Sequence, residues 1–385
     1  MFPQFDPTKA TYLAELIVSI LGLLLFLALA VLMIRRKQEG KNSEPGVSLT
    51  EQITVSDSAG VSYKELNPLT PKEQSERSSA LKQAYQTWKT ERLLQGEDRR
   101  SLFLRTGVEK NRLRYQLVAT TQVQALAILV STLMAESDPQ SSTQVEALFA
   151  NLLAHPAYGQ SELSSWKFLP DLPRSPKLDP DPHAEAWVIY AMLAATRRWP
   201  AINRFHYMEI IPARMQALHG YLETLDPEMT GRQPFSGYLI KQLQSREPSL
   251  DWSALGESQE LFYSQLEEQN FLEGEPDTSR LGFSLLQLGL MALLDKDPEK
   301  LSAIRKVETG LRQLVEGFSS ASSTEAEFSR LSMLACTVPA FLSLQERELC
   351  DRVWKELIST QPDKNDGLGA TLKLLGMTIL ANRQI

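Results

Sequence analysis

Cysteine is almost missing from this chain: two residues in 385, Cys336 and Cys350. They stand fourteen positions apart in apolar, helix-patterned sequence, which suits two buried thiols better than a disulfide framework. Histidine is scarce as well. His155, His183, His206 and His219 share no metal-ligand spacing, so no metal centre is expected. A glycine-rich phosphate loop and a Gly-x-Ser-x-Gly elbow are both absent, which removes the usual routes to nucleotide and serine-hydrolase chemistry. No cofactor is expected. Positive charge is not in excess: the formal net charge is -7, and an acidic surface disfavours phosphate-rich partners such as nucleic acid. Strand-like alternation is almost absent, and no short repeat period marks a simple solenoid.

One long apolar run is present. Leu16 to Ile34 reads LIVSILGLLLFLALAVLMI, without a charge. At about 1.5 Å per residue it reaches roughly 28 Å, close to the ~30 Å hydrocarbon core of a bilayer. Ala28-Leu29-Ala30 offers a small-residue cleavage site, but the leader lacks the basic region of a signal peptide. The expectation is a retained single-pass helix. Arg35, Arg36, Lys37 and Lys41 follow it against a lone Lys9 before it, so the positive-inside rule places the rest of the chain in the cytoplasm. The alternative is a periplasmic domain. The sequence divides into a short tail (1–11), a transmembrane helix (12–34), a flexible Ser-, Glu-, Gly- and Pro-containing linker (35–73) and a helical domain (74–385).

In the domain, apolar residues recur every three to four positions in about a dozen segments, as in LKQAYQTWKTERLL, TTQVQALAILVSTLMAE, AEAWVIYAMLAATRRW and GLGATLKLLGMTILA. Pro and Gly clusters such as LPDLPRSPKLDPDP separate them. The fold class is all-α. A dozen helices exceed one bundle, and a closed ring of hairpins and an open stack fit equally well.

HAEAWVIYAMLAATRRW, His183 to Trp199, resembles the signature helix of glycoside hydrolase family 8, which includes the endoglucanase made alongside bacterial cellulose synthases. That signature has an Asp, a small residue, a second Asp, then an apolar run ending in Trp; here His183 and Glu185 take the two acidic places. Three stretches follow the family in order. TTQVQALAILV is similar to the helix opening Ser-Glu-Gly-Gln, with Gln122 at the glutamate and Gln124 at the final Gln. QPFSGYLIKQL, with Pro234, Ser236 and Tyr238, is similar to the Pro-Ser-Tyr segment. PDTSRLGFSLLQLGLM resembles the Asp-Ala-x-Arg segment, with Asp277 and Arg280 in place. The resemblance covers about residue 80 to the end and implies an (α/α)6 barrel, or toroid.

The family's reaction is inverting hydrolysis of a β-linked glycan, which needs a protonated carboxyl for the leaving oxygen and a carboxylate to activate water. The resemblance puts the acid at Gln122, whose amide has no proton to give at useful pKa. It puts a sugar-contacting Asp at His183 and leaves Asp277 as base. The resemblance therefore implies a degenerate catalytic set, with Glu185 the neighbouring carboxyl available to substitute. Gln124, Glu185, Trp187, Tyr238 and Arg280 are the expected substrate contacts, and Trp166, Trp199 and Tyr190 are further aromatic faces that suit sugars or a core. Plainer roles stand beside these: His183 beside a helix start, Asp277 as an N-cap, the glutamines as helix amides. Arg99, Arg100 and Arg105 form a basic loop able to meet an anionic signal. The resemblance implies an inactive, inner-membrane glycosidase-like scaffold with protein partners in exopolysaccharide (cellulose-like) synthesis or secretion. An active or glycan-binding periplasmic protein is the alternative.

Overall fold

The computed structural model describes residues 67–96, 100–110, 115–170, 175–199, 207–225, 244–245, 248–252, 278–294 and 330–381, with four helical pairs between 301 and 312. These residues belong to one compact unit, Gly60–Ile385. The expected tail, transmembrane helix and most of the linker lie outside the described residues. Among the described residues, no helix is long and apolar enough to cross a membrane.

The first helix, α1 (Pro71–Arg92), begins inside the stretch expected to be linker. Its start is set by a capping box. Thr70 Oγ1 accepts from Glu73 N–H at 3.2 Å, and Glu73 Oε2 accepts from Thr70 N–H at 2.7 Å. Pro71 adds a preset φ at the first helical position. Arg77, Leu81, Tyr85, Trp88 and Arg92 fall on one buried stripe at spacings of three and four.

Short antiparallel strands then interrupt the helices. β1 (Leu93–Gln95) pairs with β2 (Leu102–Leu104), and β3 (Gly107–Lys110), β4 (Tyr115–Thr120) and β7 (Lys167–Phe168) form a three-stranded ribbon. β5 (Pro156–Ala157) pairs with β6 (Gln160–Ser164). The unit is mostly helical, as expected, and carries small ribbons in its connections that the expectation did not include. Strands of two to six residues are too short to show the period-two pattern that the sequence reading relied on.

The remaining helices are α2 (Thr121–Leu133), α3 (Ser141–Ala154), α4 (Pro182–Arg198), α5 (Tyr207–Leu222), α6 (Thr278–Leu294), α7 (Arg330–Ser343), α8 (Arg347–Ser359) and α9 (Gly367–Leu380). They sort into two kinds. In α2, α7 and α9, nearly every residue is buried around the whole circumference. In α1, α3 and α8, burial is confined to one face. A helix apolar all round needs cover on every side, whereas an amphipathic one serves as cover. The contacts follow that logic. α4, α2, α9, α7 and α6 pack in an inner row, and α1, α3, α5 and α8 lie against it.

Close approach within the row depends on glycine. A Cβ on Gly289 of α6 would lie 2.5 Å from Ala340 N and 2.8 Å from Pro339 on α7. Cys336 and Cys350 are free buried thiols on α7 and α8, and burial pushes the Cys350 thiol up to about 12.

Candidate functional site

Two helix N-termini are brought side by side. β4 runs without a break into α2, so Gln122 sits in the first turn of that helix. Thr121 ties the turn to the β6–β7 connection: its N–H donates to Trp166 O at 3.0 Å and its Oγ1 to Ser165 O at 2.6 Å. The lead-in to α4 is tied to the same connection. Trp166 N–H donates to Asp179 O at 3.1 Å, and Leu178 N–H donates to Ser165 Oγ at 3.1 Å. α4 then opens with Pro182 in its first turn and Asp181 as N-cap, whose Oδ1 accepts from His183 N–H at 2.9 Å.

The result is a contact between the two positions that the resemblance assigned to an acid and a sugar-contacting Asp. Gln122 Nε2 lies 3.3 Å from His183 Nδ1. The amide nitrogen donates in this contact when Nδ1 carries no proton. Gln122 is half-buried, and His183 is buried with its ring edge-on to Phe283 of α6 at 5.8 Å between centroids. Burial holds the His183 pKa below its ordinary value, partly offset by the nearby Asp181 charge. Asp277 and Tyr238 lie outside the described residues, as does the side chain of Arg280 in the first turn of α6.

Two expected substrate contacts are corrected. Gln124 is fully buried, with Oε1 accepting from Leu104 N–H and Nε2 donating to Leu104 O, each at 2.8 Å. Its amide completes the backbone pairing of β2 as a neighbouring strand would. Glu185 is also fully buried. Oε1 accepts from Ser164 N–H at 2.7 Å, and Oε2 accepts from Arg214 Nε of α5 at 2.7 Å. Arg214 Nη2 also donates to Ser164 Oγ. Glu185 therefore locks α4 to α5 and β6, with both carboxylate oxygens engaged in the core. Sequence reading missed Arg214. A lone arginine in the apolar frame IIPARMQAL was the available signal, since an arginine on a buried face needs an acid.

The aromatics divide. Trp187, one turn after His183, is buried, edge-on to Tyr190 at 5.9 Å, and its Nε1 has no hydrogen-bond partner among the described residues. Trp199 is half-buried at the end of α4. Trp166 alone of these four faces solvent, 43% exposed, with Lys167 Nζ 4.9 Å from its ring centre. It adjoins Thr121 through the backbone bond given above. In the basic loop, Arg99 lies outside the described residues, and the Arg105 guanidinium donates to Lys364 O at 2.6 Å. Among the described residues no cluster of His, Cys, Asp and Glu is placed to hold a metal ion.

No family profile matches the sequence, and no curated protein does. Solved structures do match. A β-1,3-1,4-glucanase from Paenibacillus sp. X4 superposes with TM-score 0.63 at 13% identity, over 83% of this chain and 94% of the other. A reducing-end-xylose releasing exo-oligoxylanase gives TM-score 0.61 at 13% identity, over 84% and 96%. A cold-adapted family 8 xylanase gives 0.56 at 12% identity, over 85% and 95%. The resemblance to family 8 glycoside hydrolases therefore holds at the level of the fold.

Proposed function

We propose that this chain is a catalytically silent glycosidase-like protein, an (α/α)6 barrel held at a bacterial inner membrane by residues 12–34. In this reading it acts as an interaction or scaffold component of exopolysaccharide synthesis or secretion, with a cellulose-like polymer as the system's product. The observation that carries it is the Gln122–His183 contact. Inverting hydrolysis requires a proton donor at the leaving oxygen. Here that place holds an amide bonded to an imidazole, and Glu185 is consumed by Arg214. Loss of the acid forfeits roughly two to four orders of magnitude in rate from that contribution alone. A cytoplasmic domain, as the flanking charges imply, meets no secreted polymer, so the synthase or another protein is the natural partner.

The runner-up is a glycan-binding domain on the periplasmic side, and exposed Trp166 beside the Gln122 turn is what favours it. The deciding experiment assays the detergent-solubilised full chain on mixed-linkage β-glucan and xylan beside Gln122→Glu and Gln122→Glu/His183→Asp. The unmodified protein is expected to show no turnover above buffer, with measurable hydrolysis returning only in the double variant. Clear turnover by the unmodified protein sinks the proposal. A reporter fused after Lys41 and active only in the periplasm would move the domain to the other side.

A further inference from the structure

Away from the Gln122–His183 site, a pocket of about 210 Å³ opens between α1 and α9. It has depth because its walls carry small residues: Ala80 and Ala84 on α1, Ala370 on α9. Ile358, Leu374 and Met377 complete an apolar side. The polar side is unusual. Lys373 is only 6% exposed, yet among the described residues its ammonium bonds a single acceptor, Thr360 O at 2.8 Å, and forms no ion pair. Arg92, 2% exposed, lines the same pocket and spends its guanidinium on the carbonyls of Pro362, Asp363 and Lys364.

A lysine ammonium has three protons to donate, and a buried charge without a counter-charge is costly. Burial shifts the Lys373 pKa downward. An anion bound there would supply both a counter-charge and a second acceptor for the ammonium. The lining also limits which one. Glu91, exposed in the lining, opposes negative charge in proportion to its amount and so favours a singly over a doubly charged anion, and the apolar side suits an apolar body. The volume lies below the roughly 300–1,000 Å³ of sites for drug-sized ligands, so the molecule is small.

We propose that this pocket binds a small organic monocarboxylate, its carboxylate on Lys373 Nζ and its apolar body against Ala80, Ala84, Ile358 and Met377. The pocket shares no residue with the Gln122–His183 contact, and the proposal stands independently of the function proposed above.

The test titrates the full-length chain with benzoate and with 4-methylpentanoate, following calorimetric heat and unfolding temperature. Saturable binding is expected, with the unfolding temperature rising with the logarithm of ligand concentration. Benzamide and 4-methylpentanamide, of the same shape but uncharged, should bind about tenfold more weakly or worse, as loss of a charge-assisted hydrogen bond implies. Inorganic phosphate should be without effect. Lys373→Met should abolish binding, and Ala84→Leu should abolish it by filling the pocket with the lysine intact. Should Lys373→Met not fold, the amide series and Ala84→Leu still decide. Equal binding of acid and amide would reduce the site to an apolar crevice and overturn the proposal. So would phosphate binding as well as benzoate, undiminished binding in Ala84→Leu, or no binding of either carboxylate at roughly millimolar concentration, an affinity of only about 4 kcal/mol.

Discussion

Glu185 and Arg214 form a sealed ion pair, 2.7 Å apart with 0% and 1% of their side chains exposed. Ser164 contributes both its N–H to the carboxylate and its Oγ to the guanidinium. Arg214 Nη1 has no hydrogen-bond partner among the described residues, so the pair already carries some polar cost. Removing one partner leaves the other charge buried and alone, which costs about 3–5 kcal/mol. Arg214→Met is therefore expected to lower stability by that amount in urea unfolding, and Glu185→Gln by a comparable amount. The double variant Glu185→Gln/Arg214→Met should recover a clear part of the loss. Additive single losses would mean that the two groups do not act as a pair.

Gly289 and Gly220 make a matched contrast. A methyl group at Gly289 meets the α7 backbone at 2.5 Å, while nothing lies within 4 Å of one at Gly220. Overpacking of this kind costs about 1–3 kcal/mol, so Gly289→Ala should lower the unfolding temperature. Gly220→Ala, within α5, should raise stability by about 0.4–1 kcal/mol through the unfolded chain. A neutral Gly289→Ala would show that α6 and α7 do not pack this closely.

Acidification should weaken the fold through two histidines. Burial holds both His183 and His155 below their ordinary value of about 6.5. Between that value and the lower folded values, the unfolded chain binds more protons than the folded one. Stability is therefore complete above about pH 6.5 and is lost as pH falls through that window. Asp138 and Glu73, both held below the ordinary carboxylate range, add their losses only at lower pH. The urea midpoint measured from pH 7.5 to 5.0 should fall, and His155→Asn/His183→Asn should flatten the slope. A midpoint independent of pH in that range would contradict the burial of both rings.

Trp166→Ala tests whether the exposed ring has a use. A side chain 43% exposed contributes little to the core, so stability should stay within about 0.5 kcal/mol of the parent. If the groove engages glycan, retention on β-glucan in affinity electrophoresis should be lost together with the ring. Unchanged retention would remove Trp166 from any sugar contact.

Much of the helical layout was legible in the chain. The segments from Leu81 to Leu94 and from Gly367 to Ala381 show the apolar period in the residues themselves, and the helices sit where that period runs. The start of α1 was also readable, since Thr70, Pro71 and Glu73 spell a capping box, yet it was passed over in favour of a linker that ends later. The ribbons were not legible. Their strands are fixed by pairing across the loop, as in Leu93 opposite Leu104, and not by a pattern within either strand.

The candidate site shows the same division at the scale of two residues. Gln122 and Gln124 stand two apart in sequence, as do His183 and Glu185, and the resemblance assigns all four to one site. At 3.6 residues per turn, positions two apart point about 200° away from each other. Gln122 and His183 therefore meet each other, and Gln124 and Glu185 turn into the core. The sequence alone determined that position 122 holds an amide, because that is a matter of covalent identity. It determined the helices too, because propensity and period act locally. Only the tertiary structure decided that Gln122 would meet His183 and that Glu185 would be bound by Arg214, across separations of 61 and 29 residues. Such partnerships depend on which helix faces are pressed together, and no local preference encodes that.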